Sequence, residues 1–138
     1  MRRAIAAAAA IVASAGTLVT ANLAAADPLP GPPYVDHVEW VHWGDLSSLR
    51  VYPTESARVE AGQLGTRTQA DEAWTEILAL APDADLAGMR AQFLCHWQLA
   101  EFAQPGKQSW NLEPWRREVD YRDMLAAGCN PGGTEEPF

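Results

Sequence analysis

Lysine is almost missing from this sequence, cysteine is scarce, and beyond residue 26 there is no long uncharged run. Lys107 is the only lysine and acidic residues outnumber basic ones, for a formal charge of −8. That balance argues against a nucleic-acid partner, because binding to phosphate requires a basic face. No stretch after residue 26 approaches the roughly 20 apolar residues needed to cross a bilayer as a helix, so no membrane-spanning segment is expected there. Recognisable chemistry is also lacking. There is no glycine-rich phosphate loop, no His-Glu-x-x-His helix, no Gly-x-Ser-x-Gly elbow and no Cys-x-x-Cys pair, which removes support for nucleotide enzymes, standard metalloproteases, serine hydrolases and thiol oxidoreductases.

At the N-terminus, Arg2 and Arg3 precede an uncharged stretch rich in alanine, and Ala24, Ala25 and Ala26 stand before Asp27. This is the three-part pattern of a cleavable signal peptide over residues 1–26, and a retained anchor fits less well because alanine partitions weakly into hydrocarbon. The expected location is secreted, or outside the cytoplasm at the cell envelope. Losing Arg2 and Arg3 would take the charge from −8 to −10. Cys95 and Cys129 both lie in the exported part, where an isolated pair favours a disulfide. Cys95 and His96 alone are too few ligands for zinc.

Residues 27–33 carry four prolines and read as an extended spacer. Residues 34–43 predict a strand with Val38, Trp40 and His42 on one face and His37, Glu39, Val41 and Trp43 on the other, covered on both sides. A turn over residues 44–48 and a strand over residues 49–52 complete a hairpin. Residues 54–58 predict a single turn of helix and then loop, because Gly62 and Gly65 intervene. Thr68 and Asp71 suit the start of an amphipathic helix that buries Ala70, Ala73, Trp74, Ile77 and Leu78, directs Glu72 and Glu76 outward, and stops at Pro82. A longer helix is expected from Leu86 to Ala103, with one stripe through Leu86, Met89, Phe93, Trp97 and Ala100 and a second through Ala91, Cys95, Leu99 and Phe102. Residues 107–119 read as irregular. Asp120 caps a short final helix over residues 121–127, Asn130 to Gly133 form a turn, and residues 134–138 form a frayed tail. The whole predicts an α+β domain over residues 34–133, in which a short N-terminal β-hairpin packs on two main α-helices and a C-terminal arm is tied back by one disulfide.

The least generic segment is Ser109 to Arg116. Trp110 and Trp115, with Asn111, Glu113 and Arg116 among them, could form an aromatic wall with polar groups for a peptide, a glycan or an envelope protein; the competing role is structural anchoring. His96 is the best general acid/base candidate if Glu113 orients it with Arg116 nearby, and the competing role is a hydrogen-bonded core histidine. His37 and Glu39 share a strand face, but with no third ligand they make a poor metal pair, and neither a metal nor a cofactor is expected.

Several of these residues together resemble a secreted actinobacterial family catalogued as domain of unknown function 2599. They are Val38-Glu39-Trp40, the strand end at Leu49, Val51, Pro53 and Thr54, Ala73-Trp74, the run Gly88 to Trp97, the run Lys107 to Arg116, and Cys129 to Gly133. The resemblance spans nearly the whole mature domain. It implies export, the two-cysteine bridge and a single domain, and it carries no activity, substrate or catalytic residue. The sequence is thus consistent with a non-enzymatic exported binding protein using the Trp110 to Arg116 surface, or alternatively with a small secreted hydrolase using His96, Glu113 and Arg116.

Overall fold

The computed structural model describes residues 30–133; the expected signal peptide, the first three residues of the proline-rich spacer and the frayed tail lie outside the described residues. The element order is β1 (Val35–Trp43), β2 (Leu46–Pro53), α1 (Glu55–Ala61), α2 (Arg67–Leu80), a short 3-10 turn at Pro82–Ala84, α3 (Met89–Ala103), β3 (Trp110–Leu112) and α4 (Tyr121–Ala126). The strands form one antiparallel sheet in the order β1-β2-β3. This is the expected α+β arrangement with its N-terminal hairpin, enlarged by a third strand.

The hairpin turn is tighter than expected. Gly44 takes φ 56°, in the left-handed region, and Trp43 pairs with Leu46. Glycine at the first central position is what a two-residue hairpin turn requires, so Leu46, Ser47 and Ser48 join β2 instead of forming loop. Register then sorts the side chains. Val38, Val51 and Trp110 form one cross-strand row, and Trp40, Leu49 and Leu112 the next. Val51, Trp110, Leu49 and Leu112 are fully buried in the core. The opposite face carries the row Glu39, Arg50 and Asn111. His37 and Glu39 on that face are exposed, contrary to the expected cover on both sides, because polar and aromatic neighbours there pack on each other: the His37 ring stacks on Tyr52 at 4.0 Å.

The helices lie on the core face. A shared aromatic cluster joins the layers: Phe93 sits 5.8 Å from Trp74 and 6.2 Å from Trp110, and Trp97 meets Trp110 at 6.0 Å and Tyr34 at 5.7 Å. Edge-to-face and tilted contacts of this kind exceed what area alone contributes. α1 is a full seven-residue helix and not one turn, since Thr54 Oγ1 accepts from Ala57 N–H at 3.1 Å while Ala57 and Ala61 are buried. α2 starts one residue before Thr68, after Thr66, whose hydroxyl instead accepts from Trp97 Nε1 and donates to Glu60 O. Asp71 pairs with Arg67 and Arg90. Glu76 is half-buried, not outward, accepting the N–H groups of Tyr34 and Val35 at 2.8 Å each. α3 starts at Met89 because Gly88 takes φ 79°, which leaves Leu86 outside the helix and exposed.

The second stripe of α3 is covered only in part. Cys95 is buried with Met124 and Cys129, and Leu99 packs against them, whereas Phe102 is 56 % exposed and Ala91 is exposed. The short α4 cannot reach both ends of a 15-residue helix. Asp120 caps α4 as expected, accepting from Asp123 N–H at 2.8 Å. Cys95 and Cys129 form the expected disulfide, with Cα atoms 5.5 Å apart.

Candidate functional site

The Ser109 to Arg116 segment is organised by β3, which the sequence alone presents as irregular. Alternation along the strand sends Trp110 and Leu112 into the core and Asn111 and Glu113 to the other side. The pairing of Leu49 with Leu112 then places Ser48 next to Glu113, and Ser48 Oγ donates to Glu113 Oε1 at 3.1 Å. From α3, Gln92 clamps the Glu113 backbone. Its Oε1 accepts Glu113 N–H at 2.9 Å and its Nε2 donates to Glu113 O at 2.8 Å. A tight turn returns Arg116 N–H to Glu113 O, and Arg116 Nε donates to Glu113 Oε2 at 2.8 Å.

Both members of this ion pair are sealed, with side-chain exposures of 1 % for Glu113 and 0 % for Arg116. Arg116 Nη1 also donates to the carbonyls of Pro131 and Gly133 at 3.3 Å each. The pair therefore bridges β2, the turn after β3 and the C-terminal turn. A buried carboxylate is tolerated where an opposite charge and hydrogen bonds replace its lost water, and Glu113 has both.

The other candidates are dispersed around this pair. Trp110 is 1 % exposed and serves the aromatic core, and among the described residues its indole N–H has no hydrogen-bond partner. Trp115 is 39 % exposed, held by an Nε1 bond to Ser47 O at 3.0 Å, with the Arg116 guanidinium 4.5 Å from its ring centroid. The Asn111 side chain accepts from Ser109 Oγ at 2.8 Å, and the Asn111 backbone carbonyl meets His96 Nε2 at 2.9 Å. A carbonyl oxygen only accepts, so Nε2 carries the proton in this bond. His96 is 4 % exposed and lines an open cleft of about 880 Å³ between α3 and the turn that carries Cys129, with Lys107 and Asn130 on its walls.

The structure thus joins Glu113 to Arg116, and His96 to Asn111. Ser48 and Gln92, which also hold Glu113, carry little signal in the sequence. The one available signal was Gln92, a long polar residue beside Phe93 near the middle of a buried helix. Of the weak metal pair, His37 Nδ1 meets Asp36 at 2.6 Å and Glu39 accepts from Tyr52 at 3.3 Å. Among the described residues no group of three His, Cys, Asp or Glu is placed to hold a metal ion, and no helix is long and apolar enough to cross a membrane.

Fold and site define a small α+β domain whose polar centre is a buried carboxylate–guanidinium bridge, closed at its C-terminal end by one disulfide. The chain belongs to the family described as protein of unknown function (DUF2599), whose profile matches residues 35–132. It is 61% identical over 111 residues to the uncharacterized protein Rv0477 of Mycobacterium tuberculosis, covering 80% of this chain and 74% of that protein. The uncharacterized protein ML2452 of Mycobacterium leprae is 50% identical over 108 residues, covering 78% of this chain and 87% of its own length. No solved structure matches the chain.

Proposed function

We propose that the protein is exported and works outside the cytoplasm as a non-enzymatic binding protein, presenting the surface around Trp115 to a glycan or peptide of the cell envelope. The observation that carries this reading is the division of labour inside the Ser109 to Arg116 segment. Glu113 and Arg116 are buried against each other, while the neighbouring Trp115 keeps part of its ring at the surface and has its N–H anchored on Ser47. An aromatic ring fixed in orientation and backed by a guanidinium is a preorganised contact for a sugar face or a peptide side chain. A carboxylate sealed in an ion pair is poorly placed for proton transfer to a ligand.

One observation favours the hydrolase reading: His96 lines an open cleft. That reading draws on His96 with Glu113 and Arg116, and it requires hydrolysis that disappears in His96→Ala.

The binding reading is tested by titrating the processed, oxidised protein with soluble cell-wall glycans and extended peptides while following tryptophan emission and Trp115-specific NMR shifts. A saturable change that is lost in Trp115→Ala is expected. Unchanged signals across the panel, or a change that persists in Trp115→Ala, would sink it.

A further inference from the structure

A second cleft, of about 340 Å³, opens on the other side of α3 between the loop joining α1 to α2 and helix α4. Its floor is made by Leu94, Leu99 and Leu125, and its mouth carries Leu64, Phe102 and Tyr121. These three are 91 %, 56 % and 64 % exposed, an unusual gathering of large apolar side chains on an acidic protein of this size.

The two hydroxyls that line the cleft, those of Thr66 and Tyr121, already have partners. Thr66 Oγ1 accepts from Trp97 Nε1 at 3.0 Å, and the Tyr121 hydroxyl donates to Gln98 Oε1 at 3.1 Å. A peptide or sugar pressed against the leucine floor would leave its own donors and acceptors unmatched there, which is costly. Hydrocarbon has none to satisfy. The volume lies at the small end of ligand cavities, roughly 300–1,000 Å³, which suits one chain better than the two tails of a phospholipid.

The charge at the mouth is also specific. Arg67 lines the cleft and reaches Asp71 Oδ1 through its Nε, and the same oxygen accepts from Arg90. Two guanidiniums share one carboxylate, leaving local positive charge beside an apolar chamber in a protein whose formal charge is −8. An anionic head is what this edge complements. We infer that the cleft takes a single-chain carboxylate amphiphile, a fatty acid, with its hydrocarbon on Leu94, Leu99 and Leu125 and its carboxylate at Arg67. This inference is independent of the Trp115 surface.

The test is calorimetric titration of the oxidised protein with dodecanoate and with dodecanol, together with sedimentation of the unliganded protein. Saturable binding of one dodecanoate per chain is expected, about tenfold tighter than dodecanol, with Arg67→Gln abolishing that preference. Leu125→Trp, which fills the chamber, should remove binding of both. Leu64→Asp lies at an exposed rim where folding is not at risk, and it should weaken dodecanoate severalfold. Absence of saturable binding, or binding indifferent to Arg67→Gln, Leu125→Trp and Leu64→Asp, would overturn the assignment. A dimer that Leu64→Asp dissociates, with no dodecanoate uptake, would overturn it in favour of a second copy of the chain.

Discussion

Glu113 and Arg116 sit in a setting where the two charges are tolerable together and expensive apart. Removing one leaves the other buried and unpaired, so Glu113→Ala or Arg116→Ala is expected to cost about 3–5 kcal/mol, read as a lowered denaturant midpoint. A double replacement by apolar residues, Glu113→Leu with Arg116→Met, should be less damaging than the sum of the two single changes, and strict additivity would show that the pair is not coupled. Tyr34 makes a second prediction at this scale. Burial pushes its hydroxyl above the usual 10.0, and the carboxylates of Glu60, Glu72 and Glu76 push in the same direction. Because the folded value is raised, the contribution is fully present below about pH 10 and is lost as pH rises through the folded value. Alkaline absorbance titration should therefore show a late-ionising phase that Tyr34→Phe removes.

Among the elements, those with local signals were legible in the sequence. The hairpin, the amphipathic α2 and the Asp120 cap of α4 follow from side-chain alternation, helical periodicity and a capping residue. β3 was not legible, because a three-residue strand is too short to show a period and exists through pairing with β2. The Glu113 site was hidden for the same reason: Ser48 and Gln92 reach it from 65 and 21 residues away in sequence. The start of α3 depended on the φ of Gly88, and the seven residues of α1 on the Thr54 cap with two buried alanines, both set by tertiary context. The caps give a direct test. Thr54→Ala and Asp120→Ala should each lower stability by about 1 kcal/mol. Helical hydrogen exchange should accelerate first in α1 and α4 respectively, and unchanged protection in those helices would count against the caps.

For the molecule as a whole, the disulfide links residues 34 apart and fastens the small apolar cluster around Met124 to α3. Closing a loop of that size constrains the unfolded chain by about 3–4 kcal/mol in the chain-entropy model, so the Cys95→Ala/Cys129→Ala double variant should lose stability of that order. Thiol labelling of the denatured, unreduced protein should find neither cysteine reactive, and labelling of both would contradict the bridge. The main aromatic cluster draws on Tyr34, α2, α3 and β3 and does not include the bridge, so the reduced protein should keep its near-ultraviolet aromatic signal while α4 loosens.

The bonds from Arg116 to the carbonyls of Pro131 and Gly133 bear on how the molecule is assembled. They hold the turn just beyond Cys129 in place without using sulfur. Oxidation can therefore follow docking, sealing a geometry that polar contacts have already selected. With only two cysteines, a chain has no incorrect internal pairing open to it, so its one covalent error is a bridge to another molecule. A chain that docks its C-terminal turn early shortens the time during which that error can occur.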